Sequence, residues 1–183
     1  MRKDGNMTQN KTQDWKTDFF KALAEKMETF TKDNILMKNE NNGEWLMQTV
    51  FATSPDKTDF VLIQAAPYQA REDVLLLELY VKLLGTTAEE NREELQKAVS
   101  ELNSYLPVGC LGIYPEDGHL FLRECFRLDM DKSAEQAAAD AVVCYELVME
   151  VTMAAYPGLK AIWNGEMTFA DAVEKDILKK HSR

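Results

Sequence analysis

The stretch SAEQAAADAVVCYELVMEVTMAAY, Ser133 to Tyr156, decides the architecture. Ser133 followed three residues later by Gln136 is a capping-box signature for a helix N-terminus. Between Ala141 and Ala155 only Glu146, Glu150 and Thr152 are clearly polar. A surface helix normally carries a single apolar stripe. This one is apolar almost all round, so two of its sides are expected to be shielded from water. A sheet can cover one side. The chain's own C-terminal tail, a second copy or a client must cover the other. Pro157 is expected to end the helix, because the residue before a proline avoids the helical region.

Downstream, a short helical turn through Leu159, Ile162 and Trp163 should close on Asn164-Gly165. Thr168 with Asp171 caps a last helix, edged by Phe169, Val173 and Ile177. Lys179, Lys180 and His181 would place cations at its negative end.

Upstream lies a hairpin: Val108 to Tyr114, the turn Pro115-Glu116-Asp117-Gly118, then His119 to Leu128. Before it, Thr87 with Glu90 reads as the capping box of a second helix. Leu95, Ala98, Val99, Leu102 and Leu106 form its buried stripe, and Pro107 stops it. Strand candidates precede that helix at residues 34–39, 44–53, 59–66 and 74–84. Asn42-Gly43 is a hairpin signal, Ser54 to Lys57 a turn, and Pro67 a strand breaker. The run Val74 to Leu84 suits helix or strand by propensity. Hairpin-sized elements before it and Gly85 after it favour strand. A first helix is expected from about Asp14 to Lys32, with Trp15, Phe19, Leu23, Met27 and Phe30 on one face. Residues 1–12 are polar and expected to be flexible, with a single domain over residues 13–183. Helices clustering with an antiparallel sheet make the fold class α+β.

The composition is that of a globular chain: 183 residues, 45% hydrophobic, 28% charged, net charge −10. That balance opposes phosphate-backbone binding, so no nucleic-acid partner is expected. It favours basic partners. No apolar run approaches the ~20 residues of a membrane span, and the polar start carries no signal peptide. A cytoplasmic location follows as the expectation. Cys110, Cys125 and Cys144 are odd in number and form no CxxC pair, so buried free thiols are expected.

No GxGxxG, P-loop, GxSxG or HExxH occurs, and no enzymatic activity, cofactor or metal is expected. A Cys110–His119 contact across the hairpin is geometrically possible, but base and nucleophile need further partners to act. Glu146 and Glu150 lie one helical turn apart and read as a solvated stripe, because no third ligand accompanies them. The strand after Gly118 is more informative. Alternation puts His119, Phe121, Arg123, Cys125 and Arg127 on one face. Arg binds carboxylate or phosphate through paired donors, so Phe121, Arg123 and Arg127 are candidates for a peptide- or anion-binding face. An exposed strand whose arginines pair with nearby acids is the plainer alternative. Methionines such as Met47, Met149 and Met153 fill core or adaptable surfaces. Trp15, Trp45 and Trp163 read as core or contact anchors.

The segment from Leu106 to Val173 resembles the bacterial YbjN-like family, which shares the fold of type III secretion chaperones. The resemblance rests on Leu106-Pro107-Val108-Gly109, Leu111-Gly112-Ile113, and Glu116-Asp117-Gly118 before His119-Leu120-Phe121-Leu122-Arg123. It continues in Tyr156-Pro157-Gly158-Leu159, Trp163-Asn164-Gly165-Glu166 and Thr168 to Ala172. It implies a helix-β-β-β-helix-β-β-helix domain that contacts proteins and carries no catalytic residues. The expected function is therefore non-catalytic protein or peptide binding, as a chaperone or regulatory adaptor, in a homodimer. Val142, Tyr145, Met149 and Trp163 are the candidates for self-association. The rival is an acidic immunity- or inhibitor-type protein that caps a basic enzyme, its charge steering association.

Overall fold

A computed structural model describes the backbone of residues 4–178 apart from 32, 41, 55 and 72, and side chains from residue 14 onward. Helix α1 (Asp4–Met27) leads into strands β1 (Asn34–Lys38), β2 (Trp45–Ala52), β3 (Phe60–Arg71) and β4 (Val74–Leu84). Helix α2 (Arg92–Asn103), strands β5 (Cys110–Ile113) and β6 (Leu120–Arg127), and helices α3 (Ala134–Trp163) and α4 (Phe169–Glu174) complete the chain. This is an α+β fold in which a multi-stranded antiparallel sheet packs against helices. The sheet order is β1-β2-β3-β4-β6-β5. Four strands, not three, precede α2.

Alternation explains the sheet. Met47, Thr49 and Phe51 of β2, Val61, Ile63 and Ala65 of β3, and Leu75, Leu77, Leu79 and Val81 of β4 are buried. The residues between them are half-buried or exposed. A period of two with one face covered is the signature of a half-buried antiparallel sheet. The run Val74 to Leu84 is thus a strand: its leucines alternate in burial, where a helix would bury every third or fourth.

The chain divides into two compact units. The first comprises Met1–Val50, Gln64–Leu79 and Cys125–Tyr145; the second comprises Phe51–Ile63, Tyr80–Glu124 and Glu146–Arg183. In the first, α1 contributes Phe19, Phe20, Leu23 and Met27 to the core, all at most 1% exposed. The Trp15 ring stacks on Phe19 at 5.4 Å. Trp45 Nε1 donates to Thr17 Oγ1 at 3.0 Å, and Lys16 pairs with Glu44 at 3.2 Å. Helix α1 begins well before Asp14, since elongating a formed helix is far easier than nucleating one. It stops at Met27 rather than Lys32. The Thr29 and Phe30 N–H groups bond three residues back, to Lys26 and Met27, tightening the last turn into a close. Lys32 lies outside the described residues. The β1–β2 hairpin matches its sequence signal: Gly43 has φ 70°, and Lys38 pairs with Trp45.

Strand β3 runs through Pro67 to Arg71, past the expected break. The Thr53 N–H bonds the Asp59 carbonyl. Counting outward from that bond puts Pro67 opposite Trp45, the first residue of β2. The donor that Pro67 lacks is lost at the last pair of this ladder, where the neighbouring strand ends and a proline is tolerated.

In the second unit, α2 buries Leu95, Ala98, Val99 and Leu102, as its stripe predicts. Its start differs from the expectation. A 3-10 turn over Glu89–Asn91 precedes it, and neither cap is a side chain. Thr87 is not an N-cap. It is buried, and its hydroxyl donates to the Gly118 carbonyl while its N–H bonds Asp117. A side chain consumed by the hairpin turn cannot also cap a helix.

Helix α3 departs most from expectation. Its capping box forms, with Gln136 N–H to Ser133 Oγ at 3.2 Å and Ser133 N–H to Gln136 Oε1 at 3.3 Å. It does not end before Pro157 but runs on to Trp163. Leu159 and Ile162 in the added turns are almost wholly buried. Burying two such side chains is worth roughly 3–6 kcal/mol, which offsets the ~3 kcal/mol an internal proline costs. Two sides are not shielded along its whole length. Ala138, Ala141, Tyr145, Val148, Thr152 and Tyr156 are buried, and Val151, Ala155 and Gly158 widen the buried face in the second half, where Leu178 packs on Gly158. Val143 is 53% and Met153 49% exposed. The apolar residues exceed the surface the chain presents to them. Helix α4 has the predicted Thr168–Asp171 capping box. It ends at Glu174, before Lys179, Lys180 and His181, which lie outside the described residues.

Candidate functional site: an aromatic cluster on the open sheet face

The outward face of β6 follows the sequence alternation. Arg123, Cys125 and Arg127 are exposed, and Leu120 and Leu122 are buried on the opposite side. Phe121 is half-buried because rings cover it. Tyr80 from β4 stacks on it with centroids 5.4 Å apart, and Tyr114, just past β5, lies at 4.8 Å. His119 meets the Tyr114 ring edge-on at 5.9 Å. These four residues all belong to the second unit.

A glycine makes the cluster possible. Gly112 pairs with Phe121 across the β5–β6 ladder. A methyl group at Gly112 would collide with Phe121 Cζ. The ring therefore lies flat over the glycine backbone, filling the space a side chain would take. Position 112 is occupied by glycine for close approach, not for turn geometry.

Burial first, and then a hydrogen bond shared with the Tyr114 hydroxyl, push the Tyr80 phenol up to about 12. The Tyr80 phenol is therefore neutral near neutral pH, able to donate as well as accept. Burial pushes the His119 imidazole down, Lys82 adds to the effect, and Asp117 opposes it. His119 is thus the neutral form at pH 7, with Nε2 buried and unbonded among the described residues. Lys82 is exposed. The face is a patch of three aromatic rings with Lys82, Arg123 and Asp117 around it.

Several candidates fall elsewhere. Arg127 continues the outward row of β6 but belongs to the first unit, so the cluster forms around Phe121. Cys110 pairs with Arg123, and His119 lies beyond the other end of β5. Four residues of strand separate Cys110 from Tyr114, roughly 13 Å, so no Cys110–His119 contact forms. No disulfide joins the three cysteines, but Cys110 and Cys125 are exposed and Cys144 is half-buried, against the expectation of buried thiols. Strand alternation turned the first two outward. Glu146 is half-buried and Glu150 exposed. Among the described residues no group of three His, Cys, Asp or Glu could hold a metal.

Of the self-association candidates, Tyr145 is wholly buried within the chain. Val142, Met149 and Trp163 are half-buried. The Trp163 carbonyl accepts from Asn91 Nδ2 at 3.0 Å. The outward apolar residues of α3 are instead Val143, Leu147 and Met153. A groove of about 720 Å³ between α1 and the start of α3 is lined by Asp18, Lys21, Glu25, Lys26 and Glu135 among others. None of the predicted site residues lines it.

Tyr80 and Tyr114 were missed in the sequence. Their signal was present, since Tyr80 alternates with Leu79 and Val81, but partnering β4 with β6 needs the sheet order. No described helix is long and apolar enough to cross a membrane. No family model matches the chain, and neither a curated protein nor a solved structure matches it.

Proposed function

We propose that this chain is a non-catalytic binding domain of the secretion-chaperone kind, and that it takes an extended acidic peptide segment on the Tyr80–Tyr114–Phe121 face. The aromatic cluster carries the reading. Three rings lie on a sheet face where alternate residues stay open to solvent, and Tyr114 is exposed. Aromatic surface of this kind gives contact area at low entropic cost, with hydroxyls to fix orientation. Lys82 and Arg123 at the rim suit carboxylates. They share the rim with Asp117, which acts on both Tyr80 and His119. The order helix, four strands, helix, two strands, helix keeps the element sequence of the YbjN-like resemblance with one strand added. The organisation of the cluster also favours binding over turnover, since its ionisable groups do not converge on a reacting position.

The test is fluorescence polarisation with a panel of labelled extended peptides, acidic and basic, each carrying one aromatic residue. Acidic peptides should bind in preference. Lys82→Glu and Phe121→Ala should each weaken them by about tenfold or more, while Val143→Ala leaves affinity unchanged. Equal binding by the Lys82 and Phe121 variants would refute the proposal, as would preference for the basic peptides.

A further inference from the structure

One nitrogen of the aromatic cluster has no partner. The His119 ring is half-buried against Tyr114, and its Nε2 is closed off from water and bonds nothing among the described residues. The backbone that carries this ring is pinned. The His119 carbonyl accepts from the Tyr114 N–H at 3.0 Å, and the His119 N–H donates to Asp117 Oδ1 at 3.0 Å. The Gly118 N–H bonds the Tyr114 carbonyl at 2.8 Å, and the Thr87 hydroxyl holds the Gly118 carbonyl. Leu120, the next residue, is wholly buried. Moving the turn would break these bonds. The imidazole can respond to a change only by turning about its own side-chain bonds.

A neutral imidazole tolerates this position. It carries one N–H and one bare nitrogen, so the proton can sit on Nδ1 and leave Nε2 bare. An imidazolium carries N–H on both nitrogens. Its Nε2–H would be a charged donor in a closed space without an acceptor, and an unmade hydrogen bond from a buried charged group is the costliest kind. The charges that face the ring do not remove that cost. Lys82 of β4 opposes the proton, and Asp117 of the turn favours it. Asp117 already accepts from the His119 backbone. From α2 comes Arg92, whose Nε donates to the Thr87 carbonyl behind Gly118. Tyr114, and beyond it Tyr80 sharing a hydrogen bond with it, are the other titratable groups of the cluster.

We propose that His119 is a proton-operated latch on the aromatic face: on taking up a proton its ring swings out, Tyr114 loses its edge-on support, and peptide binding weakens in mild acid. This rests on the peptide-binding reading of the Tyr80–Tyr114–Phe121 face. Tyr114 is the ring that feels the change, because His119 and Phe121 are the two rings packed against it. A proton also adds positive charge at the rim, which draws an acidic peptide closer. That attraction acts between exposed, screened groups and is worth less than the ordered aromatic surface that is lost. The proton comes from water and returns to it as pH rises, so the latch is reversible.

Two measurements test it. In the free chain, nuclear magnetic resonance follows the contact between the His119 and Tyr114 rings, with only two histidines in the sequence to assign. The contact should be present at about pH 7.5 and lost at about pH 5, with far-ultraviolet circular dichroism unchanged. In parallel, fluorescence polarisation reads the labelled acidic peptides at the same two pH values, where their carboxylates stay mostly ionised. Wild-type affinity should fall about tenfold in acid. His119→Phe keeps a ring but takes no proton, so its affinities at the two pH values should agree. A ring contact that persists at the lower pH overturns the inference. So does wild-type affinity that holds or rises in acid, or a fall as large in His119→Phe as in the wild type. Peptides that bind at neither pH, with the ring contact still lost in acid, would strike the binding reading and leave the latch standing.

Discussion

Strands β1 and β5 are both short, and both end the same sheet. Yet Leu111 of β5 has its N–H and carbonyl held by Asn103, while Leu36 of β1 has neither held among the described residues. The two edges also differ in what their outward faces carry. On β5, Phe121 of the neighbouring strand covers the face at Gly112. On β1, Ile35 lies open. An edge can thus be closed from within the chain, by a residue from a helix that has no ladder role. Where no such residue exists, the outward groups are left to solvent or to another molecule. The contrast is physical: backbone groups need partners, and water, a side chain or a second strand can each provide them.

The largest effect should come from prising the ring off β5. Gly112→Val forces a side chain into space occupied by Phe121, and overpacking of this kind costs about 1–3 kcal/mol. Urea unfolding should show it, together with loss of acidic-peptide binding. A variant as stable as wild type would mean that the ring does not rest on the glycine.

Next comes the clamp itself. Asn103→Ala removes two hydrogen bonds at about 1 kcal/mol each, or ~2 kcal/mol in all. It also makes the β5 edge resemble the β1 edge, so light scattering should detect species larger than those of the wild type. Unchanged stability and unchanged mass would show that the amide is not what closes this edge.

The smallest effect is the pH dependence around the cluster. His119 has its folded pKa held below the usual 6.5 by burial and then by Lys82. The unfolded chain therefore takes up the proton first as pH falls. The stability this residue contributes is present above about pH 6.5 and declines as pH drops through 6.5 toward the folded pKa. His119→Asn should flatten that part of the stability profile. Denaturant unfolding at about pH 7 and about pH 5.5 measures the difference, and an equally steep profile in the variant would assign the dependence to other groups.

Much of the fold was legible because it is written in local patterns. Val74 to Leu84 alternates in burial as its apolar run allows, and Asn42-Gly43 turns where both residues tolerate the turn. Ser133 with Gln136, and Thr168 with Asp171, cap the helices they precede. Arg123, Cys125 and Arg127 face outward because a strand has a period of two.

What the sequence misled on were residues whose local preference competes with a distant partner. Thr87 and Glu90 form a valid capping signature, but Thr87 bonds Gly118 and Asp117 of the hairpin turn instead. Pro157 is a stop signal, but the turns beyond it bury Leu159 and Ile162, and α3 continues.

Sequence alone determined the elements, their order and the faces they present, since periodicity and caps act over a few residues. Tertiary structure decided which strands are neighbours. That brought Tyr80 and Tyr114 to Phe121, gave Asn103 its place on β5, and left β1 at the rim. Those pairings join residues far apart in the chain, and no local preference specifies them.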